Sequence, residues 1–262
     1  GSYLGQALVT RLAQSDVFSV DALSSPRGQA PPPRGVESWS ADLTKELAPS
    51  VKALFQAAHV IVHLAWTRGA NIEAVRKANR RMVDHLDAEA LARVVFASSV
   101  AAGPRAPSVY GAVKHEVAET IADAGGRVLV LGGVVDEPPG GSYAELCEKV
   151  ARSRLALRFT GEEPHLHITP IEQALQGFID ALEGRLEPGM HPLFEAETIP
   201  FNTFMARLEA RAPKKRMKTP LWSPALLGAA KVLRRSPAGR TLDRLASFVG
   251  RDQAWLSHLN QP

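Results

Sequence analysis

Ser99, Tyr110 and Lys114 have the types and spacing needed to move a proton to or from a carbonyl oxygen. Ser99 closes the run Val94-Val-Phe-Ala-Ser-Ser99, an unbroken apolar stretch that reads as a buried parallel strand ending in hydroxyls. In an open α/β sheet, ligands sit at the carboxyl ends of such strands. Tyr110-Gly-Ala-Val-Lys114 opens a helical pattern running to Ala124, and a spacing of four puts phenol and ammonium on one face. A lysine one turn from a tyrosine, beside a cofactor's positive charge, lowers the phenol's pKa and favours tyrosinate. The phenol can then exchange a proton with a carbonyl or alcohol while Ser99 orients the same oxygen. That is the proton half of a hydride transfer. A bare Tyr-x-x-x-Lys arises by chance on amphipathic helices; the hydroxyl-ended strand, eleven residues before the tyrosine, gives it weight.

The elements that must position this trio alternate short apolar runs with helical patterns, the mark of βα units and a parallel sheet. The patterns predict helices over Leu4–Leu12, Leu47–Ala57, Asn71–Leu91 (long, with room for an interruption) and Tyr110–Ala124. Strands are predicted over Phe18–Leu23, Val60–Leu64, Val94–Ala97 and Arg127–Leu131, and the proline-rich stretch Ser24–Gly35 is a loop. Further on, helices are expected at Ala144–Arg154, Ile171–Leu182, Phe201–Arg211, Pro224–Leu233 and Thr241–Val249, and a short strand at His165–Ile168. We therefore expect a Rossmann-like, doubly wound α/β sheet. Residues 1–135 would form the dinucleotide-binding and catalytic core. Residues 136–262 would complete the sheet edge and form a small, mostly helical substrate lobe.

Composition bounds the class. The 262 residues, 45% apolar with a net charge of +4, describe an ordinary globular chain. No apolar run approaches the roughly 18–20 residues of a membrane span, and no signal segment stands at the start. The one cysteine, Cys147, excludes an internal disulfide and reads as a small packed residue, so the cytoplasm is the expected compartment. The densest basic cluster, Lys214-Lys-Arg-Met-Lys218, lies between prolines and reads as a solvated loop rather than a nucleic-acid surface. His165 and His167 alternate on a predicted strand but lack acidic or cysteine partners at ligand spacing, so no metal is expected. Glu162-Glu163 and Asp136-Glu137 read as solvated loop acids, and His63 invites no role.

On the cofactor side, Gly1-Ser-Tyr-Leu-Gly5 precedes the first helix, where free amides and the helix dipole make an anion site. A full dinucleotide fingerprint has a strand before it and three glycines; here Ser2 holds the middle glycine's place. Ser24, Ser25 and Arg27 follow the second strand. Hydroxyls with an arginine suit a ribose 2′-phosphate and favour NADP over NAD, unless Arg27 is a solvated loop residue. Asp42-Leu43 suits an adenine amino group, or Asp42 caps the following helix.

Together these residues resemble the extended short-chain dehydrogenase/reductases, the group containing NAD-dependent epimerase/dehydratase-type enzymes. The resemblance runs from Gly1 to about Leu182. Tyr3-Leu-Gly5 matches the end of the glycine motif, Asp42-Leu43 the adenine pair, and His63-Leu64-Ala65 the strand end passing the nicotinamide ribose, with Trp66 where the family usually has a small residue. Asn79 falls where the family has an Asn in its long helix. Ser99, Tyr110 and Lys114 match the catalytic trio, and Val128–Val135, including Gly133 and Val134, matches the strand and loop against the nicotinamide. The resemblance implies a bound dinucleotide held by Ser2, Tyr3, Leu4, Arg27, Asp42, Leu43, Leu64, Ala65, Trp66, Asn79, Gly133 and Val134. It also implies Tyr110 as acid/base, Lys114 on the ribose, Ser99 on the substrate oxygen, and a homodimer through the helix carrying Tyr110.

The departures narrow the substrate. Val100-Ala101 stands where dehydratases carry an Asp-Glu pair, and Leu131-Gly-Gly-Val-Val135 replaces residues that hold a nucleotide sugar. Thr169-Pro170 replaces an expected Asp. The expectation is a ketoreductase acting on a small or apolar carbonyl, such as an intermediate of secondary metabolism. The alternatives are an epimerase with retained cofactor, or a non-redox member of the family (a cofactor-independent cyclase or isomerase, or a binding module).

Overall fold

The computed structural model describes residues 2–26, 32–67, 71–222, 225, 247 and 252–259. The core is a four-stranded parallel sheet built from Ile61–His63 (β3), Val94–Ser99 (β4), Arg127–Leu131 (β5) and Gly189–Leu193 (β10), in the order β10-β5-β4-β3. Because side chains alternate across a strand, Val94 and Phe96 enter one cluster and Val95 the other. On one face Val94, Phe96, Val128 and Val130 pack against α5 (Val109–Asp123) and against Leu256 of α9 (Gln253–Leu259). On the other, Val95, Leu129 and Leu131 pack against α1 (Tyr3–Ala13) and α7 (Ile171–Leu182). Helices on both faces of a parallel sheet make the expected doubly wound α/β architecture. No helix among the described residues is long and apolar enough to cross a membrane.

The helix starts follow from their caps. Ser2 accepts the Gly5 amide at the head of α1, and Ser108 accepts the Gly111 amide at the head of α5. The long helix predicted over Asn71–Leu91 is indeed interrupted. Asn71 caps α3 (Ile72–Asp84), and Asp87, accepting the Ala90 amide, starts a separate α4 (Ala88–Ala92). The helix predicted from Leu47 begins instead at Pro49, as α2 (Pro49–Ala57), since the residue before a proline is held extended.

A second parallel pair, β1 (Asp21–Ser24) with β2 (Glu37–Ser40), stands apart from the main sheet. β2 was not predicted. β1 pairs only with β2, and β3 only with β4, among the described residues; β1 and β3 line the same cavity.

The C-terminal segment carries more strands than the mostly helical lobe expected. β7 (Leu155–Phe159) pairs in parallel with β12 (Met217–Leu221), so the basic run read as a solvated loop partly enters a strand. β6 (Gly133–Val135) pairs with β9 (Ile168–Pro170), and β8 (His165–Leu166) with β11 (Ile199–Pro200). The strand predicted over His165–Ile168 therefore breaks at His167, and the two histidines do not share a face: His165 is exposed and His167 buried. α6 (Gly141–Arg152) and α8 (Phe201–Ala210) pack over β7 around Tyr143, Phe159, Phe201 and Met205. The helices predicted over Pro224–Leu233 and Thr241–Val249 lie almost wholly outside the described residues.

Candidate active site

The site forms where β4 ends and α5 begins. β4 runs to Ser99, whose Oγ accepts the Ala101 amide at 3.3 Å and whose carbonyl accepts that of Ala102 at 2.8 Å. The chain turns through Val100–Ser108 and enters α5, which presents Tyr110 in its first turn and Lys114 one turn later. Ser99, Tyr110 and Lys114 all line one large cavity.

Lys114 is 6% exposed. Its Nζ lies 4.2 Å from the Trp66 ring centroid, 4.8 Å from Phe96 and 5.4 Å from Tyr110. A desolvated ammonium is held well by such ring faces. Trp66 also meets Tyr110 edge-on at 5.9 Å, so lysine, indole and phenol form one packed unit. His63 stacks on Phe96 at 5.4 Å; burial, helped by the Lys114 charge, pushes its pKa down to about 4, so the imidazole is neutral at neutral pH. His63, given no role by sequence, is thus part of the wall behind Lys114. A histidine closing an apolar strand was the available signal.

The expected cofactor residues divide. Ser2, Leu4, Asp42, Leu43, Leu64 and Ala65 line the same cavity as the trio, as do Trp66, Gly133 and Val134. Tyr3 does not: its ring lies under Gly140 and Gly141, and its hydroxyl donates to Asp136, a bond that pushes the phenol pKa up. Asp136 is therefore not a merely solvated acid. Glu163 likewise accepts the Asn202 amide at 2.9 Å in the first turn of α8, and Glu137 pairs with Arg211. Asn79 also departs from expectation. It is fully buried, accepts the Thr67 amide at 2.9 Å, and donates to the Thr67 and Val75 carbonyls at 2.9 and 2.8 Å. With its amide so engaged, it shapes the Leu64–Thr67 loop rather than reaching into the cavity. Asp42 accepts from the Thr44 amide (3.1 Å) and hydroxyl (2.6 Å), which lower its pKa; it caps a turn, not the helix that begins at Pro49. Arg27 lies outside the described residues.

The cavity measures about 3030 Å³, several times the ~300–1,000 Å³ of an ordinary ligand pocket. It combines a cleft at the strand ends with the space between β1 and β3. A dinucleotide fits the polar features of the cleft. The first turn of α1 leaves amides without intrahelical acceptors, Ser24 and Ser25 bring hydroxyls, and the buried Trp66 Nε1 and His63 Nε2 have no hydrogen-bond partner at the wall. Thr169, also unpredicted, fixes the Gly132–Gly133 turn by accepting the Gly132 amide at 2.8 Å and donating to the Leu193 carbonyl at 2.6 Å.

No family model matches the sequence, and no curated protein matches it. Solved structures do. The protein described as gox2253 superposes with a TM-score of 0.67 at 16% identity, covering 97% of this chain and 88% of that one. The Thermus thermophilus UDP-glucose 4-epimerase complexed with NAD gives 0.65 at 17%, over 95% and 96%. The Bacillus cereus UDP-glucuronic acid 4-epimerase complexed with UDP-glucuronic acid and NAD gives 0.67 at 16%, over 84% and 83%. At such identities the likeness speaks for the fold: this chain shares the Rossmann-like fold of NAD-binding epimerases.

Proposed function

We propose that the chain is an NAD(P)-dependent oxidoreductase that reduces a small or apolar carbonyl compound. The observation that carries the reading is the convergence of Ser99, Tyr110 and Lys114 on a cavity that also takes in the first turn of α1. Leu4, Asp42, Leu43, Leu64, Ala65, Gly133 and Val134 would hold the dinucleotide, which supplies the hydride when bound. Tyr110 gives its phenolic proton to the carbonyl oxygen as that oxygen gains charge. The Lys114 ammonium beside the phenol favours the phenolate that remains. Ser99, its Oγ anchored by the Ala101 amide, donates a hydrogen bond to the same oxygen and keeps its proton. Trp66, Val134, Val135 and Phe204 are among the residues lining the cavity and support an apolar ketone as substrate. Ser24 and Ser25 at the end of β1 support NADP over NAD. Dimerisation through α5 would have to use the face of Ala112, Glu116, Glu119, Thr120 and Asp123, since its other faces are largely buried.

Fluorescence titration with NADPH and NADH, followed by turnover of a ketone panel, tests the reading. Binding of neither dinucleotide overturns it. An epimerase with retained cofactor is the second reading, supported by the folds of the NAD-bound epimerases above. Net consumption of NADPH by a ketone separates the two.

A further inference from the structure

The loop Val100–Ser108 joins the residue offering the hydroxyl to the helix offering the phenol, so its shape sets the relation between them. On its inner side the loop is pressed against the first turn of α5. A side chain at Gly111, next to Tyr110, would collide with the Ala101 carbonyl and the Ala106 methyl. On its outer side it meets Asp252, at the head of the C-terminal helix α9. A Cβ on Gly103 would come within 2.8 Å of the Asp252 Cβ.

Asp252 is an unusual residue to find there. Its side chain is 1% exposed, and a buried carboxylate needs partners. It accepts from the Arg105 guanidinium at 2.9 Å (Nη2) and 3.3 Å (Nε), from the Arg105 backbone amide at 3.2 Å, and from the Trp255 amide at 3.3 Å. The first three bonds belong to the loop and the fourth to α9. The helix is in turn fixed to the core: Leu256 packs with Val117, Ala118 and Ile121, and Trp255 meets His115 edge-on at 5.6 Å. His115 follows Lys114 directly. α9 thus meets α5 at His115, shares its apolar cluster, and holds the loop at its outer turn.

We infer that Asp252 and Arg105 form a clasp through which the C-terminal helix holds the Ser99–Tyr110 loop in its working shape. Both are positioning residues. Neither lines the cavity. They act through Gly103 and the loop amides on Ser99, whose Oγ and carbonyl are both engaged by that loop. The inference rests on the reading of Ser99 and Tyr110 as the reacting pair, and assigns the distant C-terminal segment to the same site.

The test compares the full chain with Arg105→Ala, Asp252→Ala, their double variant and Arg105→Lys. Hydrogen exchange is followed over residues 99–111, alongside NADPH titration and ketone turnover. Arg105 is 73% exposed, so its truncation opens no cavity, and the Asp252 carboxylate keeps the backbone amides of Arg105 and Trp255 as donors; the circular dichroism spectrum of each variant checks that the fold is kept. Expected is faster exchange at Ala102, Arg105 and Ala106, on the order of tenfold in either single variant. The kcat should fall on the order of tenfold with NADPH affinity unchanged. The double variant should be no worse than the poorer single, as for groups acting as one unit, and Arg105→Lys should recover part of the loss. Unchanged exchange in Arg105→Ala overturns the clasp; faster exchange with unchanged kcat overturns its part in positioning. A parent that binds neither NADPH nor NADH and turns over no ketone overturns the oxidoreductase reading instead, while the exchange measurement still decides the clasp.

Discussion

A lysine buried among three rings is costly to keep charged unless those rings and its other neighbours compensate, and here it stands beside the Tyr110 phenol, which can use its charge. Tyr110→Phe keeps the ring that meets Trp66 and removes the phenolic hydroxyl. Turnover should fall by on the order of 10²–10⁴-fold with the circular dichroism spectrum unchanged, and preserved turnover would remove Tyr110 from the proposed chemistry. His63 makes a second prediction. Its pKa is lowered to about 4 from an ordinary 6.5, first by burial and then by Lys114. The unfolded chain therefore binds the proton before the folded chain does. Stability from the neutral imidazole is complete above about pH 6.5 and is lost as pH falls towards 4, by at most about 3 kcal/mol. Urea unfolding at pH 7.5 and 4.5 should show a smaller difference in His63→Phe than in the parent; equal differences would acquit the histidine.

At the scale of elements, the local signals in the sequence were the dependable ones. The apolar run into Ser99, the four-residue spacing on α5 and the glycine turn after β5 need only neighbours to be understood, and all three elements stand where predicted. What escaped depends on distant partners. β2, Glu-Ser-Trp-Ser, has no apolar alternation and is a strand because β1 pairs with it. The β12 strand hides in a basic run and is set by Leu155–Phe159, some sixty residues away. Asp252 and Arg105 share no spacing that a sequence could display. Asn79 was visible as a residue but not in its role, since the Thr67 backbone reaches it only after folding. Asn79→Ala should cost on the order of 1–3 kcal/mol, because it strands the half-buried backbone amide and carbonyl of Thr67. Denaturant unfolding would show this, and a loss under about 0.5 kcal/mol would mean the loop finds other partners. Gly111→Ala should destabilise by about 1–3 kcal/mol through overpacking against Ala101, read the same way.

For the whole molecule, the division of the parallel strands into two sets matters most. β3, β4, β5 and β10 are locked between helices on both faces, and with α5 they carry Ser99, Tyr110 and Lys114. β1 and β2 form a ribbon of two, and an isolated two-stranded ribbon is marginal in water. Native-state hydrogen exchange should therefore find Ala22–Leu23 opening far more readily than Val95–Ala97; uniform protection would mean that the ribbon is supported as well as the main sheet. Ser24 and Ser25, at the end of β1, belong to the ribbon, whereas the proton-handling trio does not. The two ends of a bound dinucleotide would then rest on cooperative units of unequal durability. The ligand itself becomes the tie between them, so loading should raise the protection of the ribbon more than that of the trio and draw two unfolding steps towards one.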